Sequence, residues 1–358
     1  PMNDDLVEAV DPRDEYVAEA IKLASGEADA RADLRIVLTA MHGVGAAMTA
    51  RVLAEAGFAK VSLVAAQAEP DPDFPTVPFP NPEEAGALVM AIEQARAEDA
   101  DLIIAVDPDA DRCALAVPDP HAEAQWTQLS GDQIGCLLGE FLAARGLEGS
   151  LANSIVSSRL LARIARSHGL EHHTTLTGFK WIARAPQLAF GYEEAIGFCP
   201  NPSVARDKDG IASSVVAASL FAALKTEGRT AWDELDRLAH AHGLHVTGPL
   251  TFRVEEIEQI TAGMARLRAQ PPSVLAGSPV VEVSDLAEGY QGLPPTDGVL
   301  VLTEAGDRVI ARPSGTEPKL KCYLEVILPA PEGEPVPWEA ARERLELIKR
   351  EFGQIIGL

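Results

Sequence analysis

The sequence predicts an α/β protein: two similar three-layer α/β domains followed by a smaller α+β C-terminal domain. Three observations predict it. Residues 34–65 run strand, turn, helix, strand; residues 154–177 repeat that scheme; after Gly243 the pattern becomes alternating strands closed by one amphipathic helix. In the first stretch "LRIVLT" is an apolar run of strand length. "MHGVGAAMTARVLAEAG" is a glycine-containing turn feeding an alanine-rich helix with Gly57 as its C-cap, and "KVSLVAA" is the next strand. The second stretch reads "SIVSS", then "RLLARIARSHG" ending at Gly169, then "HHTTLTG".

The remaining elements follow in order. "EPDPDFPTVPFPNPEE", residues 69–84, is a proline-rich surface loop leading into a helix over 83–98, and "DLIIAV" is a buried strand. "LSGDQIGCLLGEFLAARG" opens the second domain as a capped helix, and "DKDGIASSVVAASLFAALKTEG" is a further apolar helix. "VLVLTEAGDRVIARPS" pairs two strands through an Ala-Gly-Asp turn, "KLKCYLEVIL" adds a third, and residues 337–356 form the last helix. The expected domains are 1–125, 126–246 and 247–358, with the loops "DPDADR", "GYEEAIG" and "RPSGTEPK" falling one in each.

Composition narrows the function. The 358 residues are 47% hydrophobic, with no apolar run of membrane-spanning length and no signal-peptide pattern, so a soluble cytoplasmic protein without a membrane partner is expected. A net charge of −24 argues against nucleic acid as a partner, yet permits a small anion held by a local basic cluster. Cys113, Cys136, Cys199 and Cys322 stand far apart with no C-x-x-C, which speaks against a zinc site or disulfide framework.

Within "AVDPDADRCAL", residues 105–115, Asp107, Asp109 and Asp111 stand at alternate positions after the buried strand. In an extended loop such side chains point one way, so three hard oxygens converge on one cation, and Mg²⁺ takes a few carboxylates plus phosphate and water. A solvated acidic turn is the plain alternative. An EF-hand is rejected because Arg112 and Pro118 stand where Gly and Glu are required. A haloacid-dehalogenase phosphatase with Asp107 as nucleophile is a weaker alternative. "ARPSGTEPKLK", residues 311–321, reads as an anion site rather than an ordinary hairpin with Arg for solubility: Arg312 can fork onto phosphate, Ser314 and Thr316 offer hydroxyls, Gly315 lets the backbone approach, and Lys319 and Lys321 add charge. In "FGYEEAIGF" the adjacent Glu193 and Glu194 suit vicinal sugar hydroxyls better than a glycosidase pair, and an exposed acidic turn is the plain alternative for this loop taken alone. Lys180 in "LTGFKWIA" means little alone.

Together "DPDADR", "TGFKWI", "GYEEAIG" and "RPSGTEPK", in this order, resemble the loops of the α-D-phosphohexomutase superfamily, the phosphoglucomutase/phosphomannomutase family. "MHGVG", "DFPTVPFPNPE", "LSGDQIG" and "DKDGI" extend the likeness over almost the whole chain. The resemblance implies four domains around a cleft and transfer of a phosphoryl group between the 1- and 6-hydroxyls of a hexose through a phosphoserine. Hexose 1,6-bisphosphate is the implied intermediate and activator, Mg²⁺ the cofactor and a phosphosugar the substrate.

By the same resemblance Asp107, Asp109 and Asp111 hold Mg²⁺, and Arg112 lies beside the transferring group as the catalytic residue. Glu193 and Glu194 meet the sugar, Lys180 senses its orientation, and Arg312, Ser314, Gly315, Thr316 and Lys319 hold the unreactive phosphate. Ala195 stands where the family often has Ser, which leaves the sugar preference open. The family's Ser-His-Asn-Pro loop is not found in these residues. The expectation is therefore a missing N-terminal domain of the same polypeptide and a fragment that is inactive alone. A phosphopentomutase of the same superfamily and a non-catalytic phosphosugar-binding protein are the alternatives.

Overall fold

A computed structural model describes residues 8–314 and 318–357. They form two compact units: residues up to 134 together with 189–231, and residues 135–188 together with those from 232 onward. The fold class is the expected one, α/β elements followed by an α+β module.

The first unit is built on a five-stranded sheet of β1 (Arg35–Thr39), β2 (Lys60–Leu63), β3 (Leu102–Val106), β4 (Cys113–Pro118) and β5 (Trp126–Gln128). Its spatial order is β2-β1-β3-β4-β5. β1 lies parallel to β2 and β3, while β4 and β5 run antiparallel, so the sheet is mixed. "LIIAV" reads as an unbroken apolar run because β3 is central and every one of its residues is buried. The helices Ala46–Glu55 and Gly210–Thr226 pack on each other and on this sheet, and Val89–Ala97 packs on β1 and β3. Gly210–Thr226 is apolar nearly all round, and its residues are buried on most sides. Its N-cap is Asp209, whose Oδ1 accepts the Ala212 N–H at 2.8 Å. The strands Leu188–Glu193 and Gly197–Cys199 form a hairpin at residues 189–199 of the same unit.

The second unit holds a parallel pair, Ser150–Ser154 with Glu171–Thr175, and the helix Leu160–Ser167 packed on it. Its larger part is an antiparallel sheet ordered Leu244–Arg253, Lys319–Leu328, Arg308–Pro313, Val299–Thr303, Ser278–Asp285, Val274–Leu275. The helices Ile257–Ala269 and Trp338–Ile356 cover it. Ala341, Leu345, Ile348, Phe352 and Ile356 recur every three or four residues along the last helix and are its buried face.

Several local expectations need correcting. The helix expected from residue 83 begins at Val89, because Asn81 takes the preceding residues into a turn: its carbonyl accepts Glu84 N–H and its Oδ1 accepts Glu83 N–H. The strand read as "SIVSS" is Ser150–Ser154, and the chain leaves it where Ser157 N–H turns back to Ser154 O. The aspartate segment is not extended. Ala110 N–H bonds Asp107 O at 2.9 Å and Ala110 takes φ 61°, so residues 107–110 are a tight turn. No helix among the described residues is long and apolar enough to cross a membrane. All four cysteines are free and buried.

Candidate functional site

The turn at the C-terminal end of β3 brings its three carboxylates together without an extended backbone. Ligand oxygens of Asp107, Asp109 and Asp111 lie within 4.8 Å of one another. Asp107 is 1% exposed, Asp111 half-buried and Asp109 exposed. Asp107 Oδ1 accepts Arg112 N–H at 2.9 Å, and Oδ2 accepts Arg112 Nε–H at 2.6 Å. Burial pushes the Asp107 carboxyl up, Arg112 opposes that, and the charge of Asp109 adds to the rise. A second cation stands on the other side: Lys208 Nζ lies 2.8 Å from Asp111 Oδ2. Burial draws the Lys208 ammonium down, but its bond to Asp111 wins and holds it above its ordinary value.

Glycines set how closely other chain segments approach this turn. Val44 N–H bonds Pro108 O at 2.8 Å, and a Cβ on Gly43 would meet the Pro108 Cα at 2.4 Å. One on Gly45 would meet the Ala110 Cβ at 2.5 Å. Met41 and His42, ahead of them, take φ 47° and 64°, and His42 is tied down by its Nε2 contact to Thr76 Oγ1 at 2.8 Å. From the far side Gly210 N–H bonds Ala110 O at 3.1 Å, at the first residue of the helix Gly210–Thr226.

The two glutamates belong to the same unit. Cys113 N–H bonds Ile196 O at 3.0 Å, and Arg112 bridges Gly197, so the 189–199 hairpin is joined to the segment that follows the aspartates. Glu193, half-buried at the hairpin's end, has its carboxyl pushed up to about 7, first by burial and then by Glu194, with Lys208 opposing and Asp111 adding. The Lys208 stem crosses Gly197, where a Cβ would come within 2.4 Å of its Cδ. Asp107, Asp109, Asp111, Arg112, Glu193 and Glu194 thus share one unit, and Lys208 serves both acidic groups. Sequence reading missed Lys208. The available signal was that three close carboxylates require a cation, and "DKDGI" offers one.

The other expected residues lie in the second unit. Lys180 is exposed on the short helix Phe179–Ile182, just after Gly178 at φ 102°. Arg312 stands opposite Lys321 in the hairpin, Lys319 stands opposite Arg253, and Ser314 N–H closes onto Lys319 O at 2.8 Å. Like charges placed directly opposite one another are unfavourable in a sheet unless an anion joins them. Gly315 and Thr316 lie outside the described residues.

Comparison with known proteins fits this geometry. Residues 14–120 match the phosphoglucomutase/phosphomannomutase alpha/beta/alpha domain II, 130–241 match domain III, and 224–334 match the C-terminal domain. The chain belongs to the phosphoglucomutase/phosphomannomutase family. Among members of this family, a probable phosphomannomutase of Haemophilus influenzae is 43% identical over 326 residues, covering 90% of this chain and 64% of its own length. A Staphylococcus aureus phosphoglucomutase is 33% identical over 323 residues, covering 84% and 58%. The chain therefore spans roughly three-fifths of these relatives. A putative phosphomannomutase from Thermus thermophilus superposes with TM-score 0.70 at 23% identity, over 97% of this chain and 67% of that one. The Paramecium phosphoglucomutase pp63/parafusin, in an open form, gives 0.71 at 19% identity over 98% and 64%. At these identities the structures establish a shared fold.

Proposed function

We propose that this chain carries the metal, sugar and phosphate sites of a phosphohexomutase that interconverts hexose 1-phosphate and 6-phosphate. The observation that carries the reading is the convergence of Asp107, Asp109 and Asp111 oxygens within 4.8 Å in a family of phosphomutases. Three hard oxygen donors, one of them almost wholly buried, suit Mg²⁺, and Asp107, Asp109 and Asp111 would hold it. Such an ion supplies charge neutralisation to a phosphoryl group in transfer.

The protein's own residues do the rest. Arg112, with its guanidinium fixed by Asp107, presents its remaining N–H groups to the transferring oxygens. Glu193 accepts hydrogen bonds from sugar hydroxyls, Glu194 stands beside it, and Lys208 keeps their negative charge from driving the aspartates apart. Lys180 contacts the sugar, and Arg312, Ser314, Gly315, Thr316 and Lys319 hold the phosphate that is not reacting. The modular reading remains 1–125, 126–246 and 247–358, and the phosphoryl carrier is a serine in a Ser-His-Asn-Pro loop, which these 358 residues do not contain.

The test is made on the polypeptide encoded by the whole reading frame. Conversion of glucose 1-phosphate or mannose 1-phosphate to the 6-phosphate should depend on Mg²⁺. Asp109→Asn should lower kcat by about 100-fold or more, as loss of one strong transition-state contact does. Turnover of neither sugar, or turnover that Asp109→Asn leaves unchanged, overturns the assignment. Exclusive turnover of a pentose 1-phosphate overturns the sugar class.

A further inference from the structure

We propose that a cleft in the second unit, walled by the helix Leu160–Ser167 and by the chain around His242 and Ile327, binds a phosphate ester of a small molecule. Ile327 comes from the far end of the strand Lys319–Leu328, and none of the aspartate turn, Arg312, Ser314 or Lys319 lines the cleft, so the inference stands apart from the mutase reading. The cleft has a volume of about 710 Å³, within the usual range for small-molecule sites and more than a bare phosphate needs. Arg159, Arg163, Arg166 and His242 line it together with small apolar side chains and Ser167, and no carboxylate does. In a protein of net charge −24 that is a marked local reversal.

The three arginines project from one helix face at i, i+4 and i+7. Arg159 is spoken for: its Nε lies 2.5 Å from Glu325 Oε2. Arg163 Nη1 donates to His242 O at 2.7 Å, which ties the helix to the opposite wall and fixes that guanidinium with N–H groups to spare. The Arg166 backbone carbonyl accepts Gly169 N–H at 3.1 Å, but its guanidinium makes no hydrogen bond or ion pair among the described residues. Two positive charges in one cleft therefore lack a matching anion. Guanidinium forks suit a tetrahedral oxyanion, and the apolar lining with Ile327 suits the body of an ester. Around His242 stand Arg163, Arg237, His245 and Glu140; burial first, with the neighbouring Arg237 and Arg163, outweighs Glu140 and holds the imidazole below its ordinary value. A bound phosphate would draw its titration upward.

Imidazole NMR on the full chain tests this, with His242 assigned through His242→Gln and inorganic phosphate as the probe. Saturable shifts of the His242 signals and a raised titration midpoint are expected. Arg166→Gln, which breaks no bond in the fold, should weaken the response about tenfold, Arg163→Gln/Arg166→Gln should abolish it, and Arg312→Gln should leave it intact. No His242 response, a response unaltered by Arg166→Gln, or one lost with Arg312→Gln would overturn the proposal.

Discussion

Glu325 has no exposed surface, and both its oxygens are occupied. Oε1 accepts from Ser158 Oγ at 2.9 Å and from Arg159 N–H at 2.8 Å and lies 2.9 Å from His245 Nδ1; Oε2 meets Arg159 Nε at 2.5 Å and Arg308 Nη2 at 3.3 Å. Burial alone would raise this carboxyl, but Arg308, His245 and Arg159 hold it well below the usual carboxylate range. The folded value is the lower one, so the stabilisation is complete above the unfolded value of about 4.3 and fades as pH falls below it toward the folded value. Glu325→Gln removes the negative member of a buried cluster and should cost about 3–5 kcal/mol. Urea unfolding should report that loss at neutral pH together with a flatter acid limb between pH 5 and the folded value, on the order of those carboxylate pKa values. An unchanged midpoint would mean the cluster contributes nothing net.

The aspartate turn depends on the loop at residues 40–45. Gly43→Ala would press a methyl onto the Pro108 backbone, which cannot swing aside as a side chain can. The account expects Mg²⁺ affinity, measured by titration calorimetry, to fall about tenfold or more, with the circular dichroism spectrum retained. Equal affinity would show that the turn does not need this backing. Elements with one strong signal were legible. β3 was an unbroken apolar run, and the helix Gly131–Ala143 announced itself by a capping box: Ser130 Oγ accepts Gln133 N–H at 3.2 Å and Gln133 Oε1 accepts Ser130 N–H at 2.9 Å. The strand Leu244–Arg253 was not legible, because Gly248 and Pro249 break its pattern; it tolerates them as an edge strand of its sheet. The carboxylate triad was readable from spacing, although the backbone reaches it by a turn. Lys208 was hidden because its partner Asp111 lies far along the chain.

Across the molecule, acidic groups that need a cation gather in the first unit and cationic groups that need an anion gather in the second. The chain is strongly acidic as a whole, so the proposed anion sites must hold their ligand by local hydrogen-bonding geometry and not by long-range attraction. Arg312 opposite Lys321 is the clearest case. In the polypeptide from the whole reading frame, Arg312→Gln should raise KM for a hexose phosphate by about 10- to 100-fold, the equivalent of one lost charge-assisted hydrogen-bonding pair. Steady-state kinetics with an unaltered KM would remove that residue from substrate binding.

The central claim is that residues 107–111 form a divalent-cation site. Anomalous diffraction from a crystal soaked in Mn²⁺ tests it most directly. One strong peak is predicted within coordinating distance, about 2.0–2.3 Å, of carboxylate oxygens from Asp107, Asp109 and Asp111. A strong peak elsewhere in the protein with none at this turn would contradict the account.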